Sequence, residues 1–239
     1  MIDFRQLNGK TIAITGASKG IGKATAMLLD QLGANLVLGA RNETELKAMA
    51  SQMSTNPLVM SLDVTDESSV RRFADQAVFR YGKVDALINC AGVCMFHSSL
   101  TMDTEDFDRM IAVNLRGTFL SCKHFGQHMV QNHKGRMINV VSIAGTTALP
   151  GCGGYSASKF GVLGLTKVLQ AELRGQGVQV TAVLPGAVHT PLWDSIEPKP
   201  DTSQMIPVDS LAKHIVYLLC QPDGAAIDEI TIMPPLGIL

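Results

Sequence analysis

Apolar residues along this chain follow two periods that take turns. Short apolar runs of strand length recur at 10–15, 35–40, 57–63, 84–89, 136–142, 178–184 and 229–233. Between nearly all of them apolar residues return every three or four positions, the spacing of one face of a helix. After Thr15 one such stripe passes through Ile21, Ala24, Leu28, Leu29 and Leu32 and stops at Gly33. This alternation predicts an α/β fold: a single domain with a doubly wound, mainly parallel sheet of about seven strands and helices on both faces. Ligands of such a sheet gather at the carboxyl ends of its strands. The longest helical stretch, 104–132, is apolar on most sides through Phe107, Met110, Ile111, Leu115, Phe119, Phe125 and Met129, so it needs more than one neighbour. Asn114, a poor helix former, and Gly117 nearby predict a local irregularity within it. Thr65 is read as the cap of the helix that runs to Tyr81.

The turn from the first strand into the first helix, Thr15-Gly16-Ala17-Ser18-Lys19-Gly20-Ile21-Gly22, changes the picture from architecture to chemistry. Its glycines allow a tight backbone path, let the main chain approach a ligand and bring helix against sheet. The free N–H groups of the helix start then face a pyrophosphate. An ordinary glycine-rich turn is the competing reading of these residues alone. The second strand ends in Gly39-Ala40-Arg41-Asn42, where an acidic side chain would accept from an adenosine ribose 2′-hydroxyl. No acid is present. Arg41 offers a planar fork suited to a phosphate and Lys19 a second positive charge, although an exposed arginine before a helix is also common. Asp63, closing the third strand beside Val64, is placed to meet an adenine. The small residues of Asn89-Cys90-Ala91-Gly92 let backbone approach a cofactor.

Ser142 ends the fifth strand, and Tyr155-Ser156-Ala157-Ser158-Lys159 then sets Tyr155 and Lys159 one helical turn apart on one face. A free phenol titrates near ~10, and an adjacent ammonium favours the phenolate and lowers that value. Tyr155 is thus the candidate acid/base. Met95, Phe96, Ile143, Leu149 and Trp193 are candidate walls of a mainly apolar pocket, with no clear Arg or Lys for a substrate carboxylate. The proline-rich segment 190–207 reads either as a lid over substrate or, for Trp193, as buried structure.

Composition removes several other classes. A formal charge of −1 and a pI near 6.6 leave no basic footprint for nucleic acid. The amino terminus carries charges and amides where a secretory signal has its apolar stretch, and no run is long enough to cross a bilayer, so a cytoplasmic protein without a membrane partner is expected. Five cysteines without a C-x-x-C pair read as buried thiols, with Cys152 near the proposed site. His124 and His128 have a spacing that suits a metal, but with no third ligand they read as surface or interface histidines, and no metal is expected.

Taken together, TGASKGIG, Asn89-Cys90-Ala91-Gly92, Ser142 and Tyr155/Lys159 stand in the order and at intervals like those of the classical short-chain dehydrogenases/reductases, which the chain resembles over most of its length. Cys90 replaces the second Asn of the family's N-N-A-G. Pro185-Gly186-Ala187-Val188-His189-Thr190 is similar to the segment that seats the nicotinamide amide. The resemblance implies a Rossmann-type fold and an NADP(H) cofactor held by Gly16, Ser18, Lys19, Gly20, Ile21 and Gly22, by Arg41, Asp63 and Val64, and by Asn89, Ala91 and Gly92. Pro185, Gly186, Val188 and Thr190 complete that set together with Tyr155 and Lys159. It further implies that Ser142 holds the substrate oxygen and that Asn114 links Lys159 to water in a proton relay, where the bland reading of Asn114 is a satisfied polar residue. The implied activity is interconversion of a carbonyl and a secondary alcohol on a small molecule by a homo-oligomer, a tetramer in such enzymes. A 3-oxoacyl-thioester reductase and a cofactor-binding regulator without turnover are the alternatives. The ending Glu229-Ile230-Thr231-Ile232-Met233-Pro234 looks like that of NADP-dependent members acting on small hydroxy compounds.

Overall fold

A computed structural model describes residues 3–196 and 200–238. Seven strands form one parallel sheet: β1 (Thr11–Thr15), β2 (Asn35–Ala40), β3 (Leu58–Ser61), β4 (Ala86–Asn89), β5 (Gly135–Val140), β6 (Val178–Pro185) and β9 (Glu229–Ile232), in the order β3-β2-β1-β4-β5-β6-β9. A separate parallel pair joins β7 (Val188–His189) to β8 (Ile206–Pro207). The helices are α1 (Gly20–Gln31), α2 (Glu43–Ala50), α3 (Glu67–Tyr81), α4 (Thr104–Met110), α5 (Gly117–Gln131), α6 (Gly153–Leu173) and α7 (Val208–Leu219).

The strands are apolar throughout because both faces are covered. Ile12, Ile14, Leu36, Leu38, Ala86 and Ile88 point into one core with Leu29 of α1, Leu46 of α2 and Ile215 of α7. The intervening Ala13, Val37 and Leu87 point into the other with Phe73 of α3 and Phe125 of α5, whose rings meet edge to face at 5.6 Å. Strand order reverses between β1 and β4, which opens a crevice at their carboxyl ends. The register sets Thr15 beside both Gly39 and Asn89, and Asn89 beside Asn139. The glycine turn, the Asn89-Cys90-Ala91-Gly92 loop and Ser142 therefore share one edge.

Several boundaries differ from the sequence reading. The third strand is shorter than 57–63, although Leu62 N–H still donates to Ala40 (3.0 Å). The cap of α3 is Asp66, which accepts from Ser68 N–H at 2.9 Å, while Thr65 donates to Asp63. The chain path turns the Thr65 hydroxyl to Asp63 and leaves Asp66 at the helix start to accept the orphan N–H. The long stretch is helical from Thr104 to Gln131, with a π-helical turn over Ile111–Arg116 that contains Asn114.

Candidate functional site

The glycine turn is built by contacts that tolerate no side chain. Gly16 has φ +67°, and a Cβ there would lie 2.7 Å from the Ala91 backbone; one on Gly22 would lie 2.4 Å from the Gly16 carbonyl oxygen. The turn is tied to β2 by Ala17 N–H donating to Gly39 (3.1 Å) and to β4 by Ala91 N–H donating to the Thr15 hydroxyl (3.2 Å). Lys19 caps the start of α1 and places no side-chain acceptor on its first N–H groups. Those donors, with the close-packed glycines and half-buried Ser18 beside them, fit the pyrophosphate of a dinucleotide.

At the end of β2, Arg41 is exposed and makes no hydrogen bond or ion pair with the described residues. Lys19 is engaged: its ammonium lies 3.1 Å from a Glu45 carboxylate oxygen. Asp63 is exposed, with one carboxylate oxygen occupied by Thr65 N–H (2.9 Å) and hydroxyl (2.7 Å). Val64 packs its side chain against the position where Gly117 has none, so its route to a ligand is through backbone alone.

Asn89 is buried, and its amide works inside the sheet. It donates to Asn139 at 2.9 Å, and Asn139 in turn donates to Thr166 of α6 at 2.9 Å. Asn114 is fully satisfied as well. Its side chain accepts from Val93 N–H (2.8 Å) and donates to the Val93 carbonyl and the Ser158 hydroxyl (both 2.9 Å). It thus pins the loop that follows Gly92 to the π turn and α6. A Cβ on Gly92 would lie 3.4 Å from Asn114 Oδ1 and 3.9 Å from Lys159 Nζ, so both groups flank that glycine.

Ser142, Tyr155 and Lys159 converge on a cleft of 470 Å³ that is also lined by Ile21, Gly92, Pro185, Gly186, Val188 and Thr190. Its walls are apolar: Phe96, Ile143, Leu149 and Trp193 take part, whereas Met95, expected among them, does not. Trp193 stacks on Phe96 at 5.6 Å and donates its indole N–H to the Val188 carbonyl at 2.8 Å, so it is both wall and structural anchor. The proposed lid 190–207 is clamped at its base by β7 and β8, with Ile206 N–H donating to Ala187 at 2.9 Å. Its residues 197–199 lie outside the described set. Cys94, Pro150, Leu192, Met233 and Ile238 also line the cleft and were not singled out from sequence. Met233 was within reach of the strand-end rule, since it follows β9 directly; Ile238 carried no local signal.

The electrostatics depart from the sequence expectation. Burial drives the Tyr155 phenol well above its ordinary value, and a hydrogen bond with Ser142 opposes this. Lys159 does not depress it: its ammonium lies 5.6 Å from the phenol ring centre and donates to the Val140 carbonyl at 2.8 Å. Burial instead brings Lys159 down to about 8. The cleft thiols Cys90 and Cys152 are likewise raised by burial, Cys90 to about 12, which leaves them protonated and poorly nucleophilic. His124 lies 3.2 Å from Glu67 and His128 3.4 Å from Asp75, each facing a carboxylate of α3 from α5, with His124 buried rather than at the surface. Among the described residues no group of three metal-ligating side chains occurs, and no helix is long and apolar enough to cross a membrane.

Comparison with known proteins agrees with this arrangement. A family model described as short chain dehydrogenase matches residues 10–201. The chain is 36% identical over 197 residues to a 3-oxoacyl-acyl-carrier-protein reductase of Thermotoga maritima, covering 81% of this chain and 80% of that protein. It is 37% identical over 230 residues to a D-threitol dehydrogenase of Mycolicibacterium smegmatis, covering 90% and 87%. A metagenomic short-chain oxidoreductase solved in complex with NADP superposes with a TM-score of 0.84 at 32% identity, over 95% of this chain and 98% of that one. The chain belongs to the short-chain dehydrogenase family of oxidoreductases.

Proposed function

We propose that the chain is an NADP(H)-dependent oxidoreductase that interconverts a carbonyl and a secondary alcohol on a small, largely apolar substrate, with Tyr155 as acid/base. The observation that carries this reading is the convergence of Ser142, Tyr155 and Lys159 on one apolar cleft that also reaches Ile21 and Thr190 beside the glycine turn. When bound, the nicotinamide supplies or accepts the hydride. The Ser142 hydroxyl and the Tyr155 phenol both donate to the substrate oxygen, and the phenol proton passes to that oxygen in carbonyl reduction. Burial keeps that proton in place through the neutral range, the state reduction requires. Lys159, brought down to about 8 and so still charged at neutral pH, lines the same cleft and is placed to hold the nicotinamide ribose. Asn114, by holding both backbone groups of Val93, fixes the loop that follows Gly92 at the edge of the cleft. The relatives' names, a reductase of 3-oxoacyl groups and a dehydrogenase of threitol, both fit carbonyl–alcohol exchange. Apolar cleft walls favour a plain ketone over a polyol. The family resemblance supports a homotetramer working in the cytoplasm.

Arg41 supports the preference for NADPH, because a guanidinium with no partner among the described residues is free to pair with a 2′-phosphate. The test is a panel of ketones, hydroxy acids and acyl thioesters followed by loss of NADPH or NADH absorbance, in wild type and Arg41→Asp. Wild type should favour NADPH by about 10- to 150-fold in kcat/KM, and the variant should lose or reverse that preference. Equal use of both cofactors by wild type would refute the assignment, and no turnover of any substrate would point to the regulator.

A further inference from the structure

The partner of Lys19 has a consequence for cofactor choice. Lys19 stands in the glycine turn, and the hydrogen bond from Ala17 to Gly39 (3.1 Å) holds that turn against the end of β2, where Arg41 projects. Glu45 arises two residues into the helix that follows and reaches back to Lys19 at 3.1 Å. The other acid of that helix turn, Glu43, is engaged with Lys47 at 2.6 Å. The remaining cation nearby, Lys23, shares an open recess of 400 Å³ with Lys19, Glu45 and Gln52 and has no ion pair among the described residues. Among the described residues around this end of the groove, Glu45 is therefore the anion paired to a cation that a 2′-phosphate would use.

We propose that Glu45 sets the strength of cofactor discrimination by competing with the ribose 2′-phosphate for Lys19. The proposal rests on the reading of Arg41 as the phosphate contact. Arg41 supplies the attraction that is always present. Lys19 adds to it only when it leaves Glu45, and the Glu45 carboxylate also repels the phosphate directly while it stays nearby. The pair is substantially exposed, with side-chain exposures of 63% and 36%, so it is weak enough for a dianionic phosphate to break. An enzyme arranged in this way takes NADPH without holding it tightly through every charge available.

The test is calorimetric and independent of turnover, with adenosine 2′,5′-bisphosphate and AMP as probes on wild type, Glu45→Gln, Lys19→Met and the double variant. Wild type should bind the bisphosphate more tightly than AMP. Glu45→Gln should tighten the bisphosphate a further 3- to 10-fold, roughly the span of an exposed ion pair plus a removed repulsion, and change AMP less than about 2-fold. In the Lys19→Met background the same substitution should have less than half that effect on a logarithmic scale, because the competition has lost its object. An unchanged bisphosphate affinity in Glu45→Gln, or an equal gain with and without Lys19, would overturn the role of Glu45 while leaving Arg41 in place. Equal affinity for the two probes in both wild type and Glu45→Gln would instead overturn the reading of Arg41 and this inference with it.

Discussion

At the Tyr155 phenol, burial and the Ser142 hydrogen bond act in opposite directions, and burial prevails. Replacing Tyr155 by Phe removes the transferable proton and little else, so kcat should fall by about 10²–10⁴-fold while cofactor binding and Tm stay close to wild type. Near-normal turnover of the best substrate would refute the assignment. Lys159 makes a second prediction with a definite sign. Its value in the fold, about 8, lies below its ordinary 10.5, so folding binds fewer protons than the unfolded chain between these limits and stability rises with pH there. Below pH 8 the charged form carries a cost of about 3 kcal/mol that is gone by the upper limit. Lys159→Met should therefore gain stability relative to wild type at pH 7 and lose that relative gain as pH rises toward 10.5. Denaturation curves at several pH values measure it, and a difference that does not change with pH would contradict it. Tyr155 and Lys159 were legible in the sequence because they stand one helical turn apart, and Ser142 through its place at the end of the preceding strand and the family resemblance. The direction of the Tyr155 shift was not, because desolvation depends on what covers the phenol.

Among the elements, the glycine turn shows how packing makes a residue type compulsory. A methyl on Gly16 would press on the Ala91 backbone at 2.7 Å with φ at +67°, whereas Gly9, with φ +71°, has open space around its missing side chain. Gly9→Ala should cost about 1 kcal/mol from backbone conformation alone. Gly16→Ala adds displacement of β1 from β4 and should cost about 1–3 kcal/mol more, with loss of NADPH binding. Thermal melts and calorimetry on the two variants compare them, and equal effects would deny the contact its importance. The helical stretch from 104 onward shows the complementary case: a weak helix former at Asn114 and Gly117 nearby pointed to an irregularity, and the π turn there lets the Asn114 side chain face Val93 and Ser158. Which residue caps α3 lay beyond sequence reading, since Thr65 and Asp66 are both good caps and only the chain path selected between them.

For the whole molecule, the faces of α5 and α6 turned away from the sheet leave Phe119, Phe160 and Val168 at 45%, 49% and 52% exposure. With the family resemblance, these support the proposed homotetramer. Light scattering at micromolar concentration should give four times 25.6 kDa, and Phe119→Glu with Phe160→Glu should lower it; a wild-type monomer would refute the proposal. The alternation of strand and helix, the tight glycine turn between β1 and α1 and the placing of Tyr155 and Lys159 on one helix face were determined by the sequence alone, because each depends on local periodicity, backbone freedom or spacing within one turn. Tertiary structure alone decided that Asn89 serves the sheet interior, that Glu45 holds Lys19, that Met233 and Ile238 join the cleft wall and that burial brings Lys159 down to about 8. Contact and desolvation arise between residues far apart in the chain, and only the strand order β3-β2-β1-β4-β5-β6-β9 brings them to one edge.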